Sequence, residues 1–206
     1  MKTSNILIIT YFFLILSGMT VLFIDDKLNG GKWRQQRREG LVELNELKVD
    51  LPHFTVIAGR GGSDIAVSSG EENKLIIHNI KEIPPELYQV QNDTLYINQK
   101  NEYSAVKIIC KNIVSITAEG GTRIDINKLS SDILHLKARR SRLNLRNSSI
   151  GTINLEANNA TIGIDHLTID VLNGQLYNKA NFDMYGSKIH RINMEISENS
   201  QYHVSK

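Results

Sequence analysis

Lys137, Arg139, Arg140, Arg142 and Arg146 fall within ten consecutive residues, and Arg123 lies 19 residues before Arg142. Guanidinium groups hold carboxylates, sulfates and phosphates through paired, charge-assisted hydrogen bonds. The chemistry such a cluster offers is capture of an anion. Part of it is expected to be neutralised, because Glu119 and Glu156 occupy repeat positions matching Arg139 and Lys137. The remainder, Arg123, Arg140, Arg142 and Arg146, is expected to have no acidic residue at a matching repeat position and forms a candidate site for an anionic glycan or lipid headgroup. A run of charge is also the ordinary make-up of a solvated face, which is the competing reading.

Other chemistries find few residues to carry them. The six histidines, His53, His78, His135, His166, His190 and His203, contain no H-x-x-x-H pair, and the single cysteine, Cys110, excludes an internal disulfide and paired-cysteine zinc sites. Cys110 closes the apolar run Ile108-Ile109 and reads as a small core residue. No nucleophile elbow, phosphate loop or dinucleotide fingerprint occurs, and Gly59-Arg-Gly-Gly reads as a turn between strands. No catalytic residue, metal or cofactor is therefore expected. Lys and Arg total 24 against 22 Asp and Glu, a net charge of +2, which argues against nucleic acid as a partner. The alternative is a carbohydrate-active β-helix enzyme, a lyase or hydrolase. Its site would have to lie in the irregular segment 50–112, which holds Asp64, Glu71, Glu72 and His78.

The elements that must position these side chains are strands. After Val49 the chain runs in short β-branched or alternating segments, such as FTVIAG, DIAVSSG, KLIIH and TLYINQ, broken by Gly, Asn, Asp and Pro. No long apolar 3.6-residue period follows residue 50. In the second half an apolar-x-apolar pair recurs at Ile124/Ile126, Leu143/Leu145, Ile162/Ile164, Phe182/Met184 and Tyr202/Val204, at intervals of 19 or 20 residues. A second series is read at Val114/Ile116, Leu134/Leu136, Ile153/Leu155, Gly174/Leu176 and Met194/Ile196. That register places His135 in line with Ser115, Asn154, Gln175 and Glu195.

Two series held over five turns point to a coil that adds one rung per repeat. The predicted fold is an all-β, single-stranded, right-handed parallel β-helix with rungs of 19–20 residues, in which segment 50–112 supplies less regular early rungs. Nothing in the sequence caps the last rung. A protein partner, or a second copy, is expected to dock on that end.

Ahead of the β-domain, Ile6–Ile24 is an uncharged apolar stretch of 19 residues, long enough for a helix of roughly 28 Å across a hydrocarbon core of about 30 Å. The run ends in Asp25-Asp26-Lys27 without a small-x-small site, so an uncleaved anchor is favoured over a signal peptide. The expected organisation is a tail at 1–5, a transmembrane helix at 6–24, a juxtamembrane linker at 25–49 and a β-solenoid at 50–206. Lys27, Lys32, Arg34, Arg37 and Arg38 follow the helix, and the positive-inside rule alone would leave the β-domain in the cytoplasm, facing a signalling partner.

The segments Phe54-Thr-Val-Ile-Ala-Gly, Asp64-Ile-Ala-Val-Ser-Ser-Gly and Thr94-Leu-Tyr-Ile, with the later Gly120-Gly-Thr-Arg-Ile-Asp-Ile and Arg140-Ser-Arg-Leu-Asn-Leu, resemble the bacterial auto-transporter adhesin head GIN domain family. The resemblance covers roughly residues 50–206. It implies an exported β-solenoid and supplies no catalytic residues. Arg139, Arg140 and Arg142 depart from the small residues the family places at that corner. On this resemblance the β-domain is expected outside the cytoplasm, as a membrane-anchored, non-catalytic binding, adhesion or structural module of the cell envelope.

Overall fold

The computed structural model describes residues 46–78, 80, 82–98 and 105–205. The apolar segment 6–24, and the linker as far as residue 45, lie outside the described residues. Every regular element among the described residues is a strand. The first seven are β1 (Glu46–Asp50), β2 (Val56–Arg60), β3 (Asp64–Ser69), β4 (Lys74–His78), β5 (Tyr88–Gln91), β6 (Thr94–Asn98) and β7 (Val106–Cys110). The repeat region gives β8 (Ser115–Glu119), β9 (Arg123–Asn127), β10 (Ser130–Arg139), β11 (Arg142–Arg146), β12 (Ser149–Asn158), β13 (Thr161–Asp165), β14 (Thr168–Tyr177), β15 (Asn181–Tyr185), β16 (Lys188–Ile196) and β17 (Gln201–Ser205).

From β8 onward the chain winds as the spacing predicts. Each turn adds one strand to an eight-stranded sheet and one to a nine-stranded sheet, over five turns. Ile124, Leu143, Ile162, Phe182 and Tyr202 stand directly beside one another on parallel strands. Their alternation with polar residues buries one face of each strand, and the inward side chains of both sheets form one core. The corners require a left-handed backbone. Arg140, Asn159 and Asn178 take φ of 50°, 49° and 51° at one corner, and Lys128, Asn147 and His166 take 58°, 48° and 54° at the other. Asparagine tolerates this conformation better than most residues; arginine does so at a cost of about 1–2 kcal/mol.

The second apolar series is corrected at its last two turns. Leu155 stands beside Gly174, and Gly174 beside Met194, so the pairs in register are Leu172/Gly174 and Ile192/Met194. Gly174 occupies an inward position. A methyl group there would lie 2.2 Å from Met194 Sδ, so the long thioether fills the space a larger residue would take. In consequence His135 aligns with Ser115, Asn154, Asn173 and Asn193, while Gln175 and Glu195 belong to the neighbouring column of Lys137 and Glu156.

The early rungs are not wound in chain order, and not all of their strands are parallel. In the nine-stranded sheet β3 lies between β7 and β9, and in the eight-stranded sheet β2 lies between β6 and β8. The rung formed first in the chain is therefore inserted between two formed later. Strands β1, β4 and β5 pair antiparallel with their neighbours. β1 begins at Glu46, inside the segment assigned to the linker. Gly59 makes the insertion sterically feasible, because a Cβ there would lie 2.7 Å from Ile65 Cδ1 and 2.8 Å from Thr122 Cγ2, both in buried side chains. Gly61 and Gly62 (φ 72° and 82°) turn β2 into β3, as the glycine-rich sequence predicts. Cys110 is fully buried, its Sγ lies 3.6 Å from Ser68 O, and burial pushes its thiol pKa up to about 12.

Three inward side chains of the last rung are largely uncovered among the described residues. Ile192, Ile196 and Val204 are 40%, 45% and 44% exposed, while Leu172, Leu176 and Met184 one turn earlier are buried.

Candidate functional site

The nine-stranded sheet carries the arginines on its outward face and at its corner. Arg123, Arg142 and Thr161 are consecutive in one outward column at the start of β9, β11 and β13. Arg140 reaches the same place from the corner, where its left-handed backbone accepts a hydrogen bond from Gly121 N at 2.7 Å and donates one to Asn158 O at 3.0 Å. Together with Gly121, Ser141 and Thr161 the three arginines line a shallow cavity of about 360 Å³. Three arginines thus line one cavity.

Two details of that site are corrected. Arg123 does have acidic neighbours: Asp64 of the inserted strand precedes it in the column, and its Nε lies 2.9 Å from Asp125 Oδ2. Arg146 also stands beside Asp165 and lines a different cavity, with Asn144, Asp183, Tyr185 and His203. Arg146 is therefore no part of the cluster. Arg140 and Arg142 remain without a carboxylate partner among the described residues. The neutralising pairs hold in part. Lys137 Nζ lies 2.9 Å from Glu156 Oε2, and Arg139 is registered beside Glu119, whose carboxylate lies 3.7 Å from Arg60 Nε.

Asp64, Glu71, Glu72 and His78 are not brought together. Asp64 starts β3, and Glu71 and Glu72 follow its far end, where Glu72 pairs with Lys74 and its carboxyl is held below the usual range by that ammonium. His78 lies two strands from Asp64, about 10 Å at the usual strand spacing. No group of three His, Cys, Asp or Glu side chains among the described residues could hold a metal ion.

A further concavity lies away from the arginine cluster. It is a trough of about 690 Å³ on the outer face of the eight-stranded sheet, crossing β8, β10, β12, β14 and β16. One wall is the column Ser115, His135, Asn154, Asn173 and Asn193, and the other is Thr117, Lys137, Glu156, Gln175 and Glu195. Asn193 Nδ2 donates to Asn173 Oδ1 at 2.9 Å, and Asn173 Nδ2 donates to Asn154 Oδ1 at 3.0 Å. On the facing wall Gln175 Nε2 donates to Glu195 Oε2 at 2.9 Å. Glu156 and Glu195 are two rungs apart, about 10 Å, just beyond the range of about 6.5–9.5 Å for an inverting pair of glycosidase carboxylates. The asparagine column was legible in principle, because Asn154, Asn173 and Asn193 recur at 19 and 20 residues. The slipped register hid it.

The profile of a family described as "Putative auto-transporter adhesin, head GIN domain" matches residues 53–206. No curated protein matches the chain. Among solved structures, a "putative adhesin" from Bacteroides fragilis is 11% identical, with a TM-score of 0.44, over 79% of this chain and 97% of that one. A "putative adhesin" from Parabacteroides distasonis is 9% identical, with a TM-score of 0.45, over 81% and 98%. A "Putative lipid binding protein" from the same organism is 11% identical, with a TM-score of 0.38, over 78% and 94%.

Proposed function

Since the chain belongs to the auto-transporter adhesin head GIN domain family, we propose that it is a non-catalytic binding module of the cell envelope, carried outside the cytoplasm on an anchor at residues 6–24. The observation that carries the binding assignment is the convergence of Arg123, Arg140 and Arg142 on one cavity, two of them without a carboxylate partner among the described residues. Like charges packed at strand spacing repel, and a bound anion removes that cost. The ligand class is an anionic glycan, held by guanidinium forks in the same way as any sulfate or carboxylate. A lipid headgroup offers the same chemistry and is distinguished by the test.

The soluble domain is expected to bind an anionic polysaccharide such as polygalacturonate at low salt and more weakly at 0.15 M salt, where the screening length falls to about 8 Å. Arg140→Gly with Arg142→Ser is expected to lower the affinity about ten-fold or more, from the loss of two charge-assisted contacts. The glycine suits the left-handed corner, so the double variant keeps the fold. Equal affinity of both forms contradicts the assignment, and preference for anionic vesicles over the polysaccharide replaces the glycan with a headgroup. A topology reporter fused after Lys206 tests the placement. Exterior signal agrees with it, and cytoplasmic signal overturns it.

A further inference from the structure

We propose that the trough on the eight-stranded sheet is a second binding site, for an uncharged, extended oligosaccharide lying along the stack. It rests on the reading of the protein as a binding module. Three features of the trough select the ligand.

The first is repetition. Its walls repeat once per rung over five rungs, about 4.8 Å apart, giving a polar track of roughly 19 Å. A ligand that meets every rung must carry one equivalent polar unit per rung. An extended glycan, with one pyranose per step of similar length, does so. An extended peptide advances about 3.3 Å per residue and so cannot present one residue to each successive rung.

The second is hydrogen-bond capacity. A carboxamide has two N–H donors and two lone pairs on its oxygen. In the ladder Asn173 spends one N–H on Asn154 and one lone pair on Asn193. It therefore keeps one donor and one acceptor, and the ladder holds the amide in place before any ligand arrives. Sugar hydroxyls donate and accept at the same oxygen, matching this fixed mixed pair. Preorganisation of this kind lowers the ordering cost of binding.

The third is charge. Lys137 faces Glu156 at 2.9 Å, and Glu195 accepts from Gln175, so two carboxylates stand against one ammonium in the trough. An anionic polymer gains nothing there, in contrast to the arginine cavity on the other sheet. A neutral hydroxyl-rich chain matches the mixed donors and acceptors of the walls without needing an ion pair.

The test uses the full-length protein in a detergent without a sugar headgroup. It is titrated with cellohexaose, chitohexaose and mannohexaose, their dimers, and polygalacturonate as the anionic control. At least one neutral hexamer is expected to bind, with affinity rising from dimer to hexamer. Asn154→Ala with Asn173→Ala is expected to weaken it about ten-fold. Both asparagines face outward, and an unaltered unfolding transition of the double variant checks the fold. Failure of every neutral hexamer to bind, or equal binding by the asparagine variant, overturns the trough assignment. In that event, binding of polygalacturonate that depends on Arg142 leaves the binding-module reading standing. Recovery of a bound hexamer in cleaved form overturns the non-catalytic reading and keeps the trough.

Discussion

Truncating Ile65 to alanine is expected to cost about 2–5 kcal/mol of stability, as much as the same truncation of Leu143. Both side chains are buried in the middle of one apolar column. Ile65 stands between Val106 and Ile124, and Leu143 between Ile124 and Ile162. In a coil wound in chain order β3 would form the first rung, and Ile65 would lie beside an open end. Insertion of β2 and β3 between later rungs gives it neighbours on both sides instead. Val204, 44% exposed on the last rung, shows the contrast. Its truncation is expected to cost about 1 kcal/mol or less, since little apolar area leaves the interior. Urea unfolding of the three variants checks this. Losses at Ile65 and Val204 that match each other, and fall well below the loss at Leu143, would place β3 at an end.

The same insertion explains what the sequence could convey and what it could not. Equal spacing of Ile124, Leu143, Ile162, Phe182 and Tyr202 announces stacking, because only a constant rung length keeps apolar side chains above one another. Spacing says nothing of order. Ile65-Ala-Val67 has the inward-outward-inward pattern of every other rung, and its pairing with both Val106 and Ile124 depends on contacts distant in the chain. The antiparallel pairing of β4 with β7 is hidden for the same reason, since alternation reads the same in either direction.

The site was legible to a similar degree. Convergence of Arg123, Arg140 and Arg142 follows from the register of two adjacent turns and the corner between them. The exclusion of Arg146 follows from Asp165, one rung on at the matching position. The influence of Asp64 on Arg123 required the inserted strand. The trough stayed hidden because Gly174 sits where an apolar residue was sought, and that one substitution shifted the apparent register by two residues. A glycine backed by Met194 is a packing solution, and it becomes visible only when the neighbouring rung is in view.

The insertion of the first rung between later ones is the central claim about the fold, and disulfide trapping tests it most directly. Cysteine pairs are introduced at outward positions in a Cys110→Ser background. One variant carries Ala66→Cys with Asp125→Cys, which face each other on β3 and β9. The other carries Lys107→Cys with Asp125→Cys, on β7 and β9, which a coil wound in chain order would place side by side. With β3 between them, the second pair is separated by two strand spacings, about 10 Å, beyond the limit of about 7 Å between Cα atoms for a disulfide. Under mild oxidation the first pair is expected to close and the second to remain reduced. Closure of the second pair with the first left open would contradict the account.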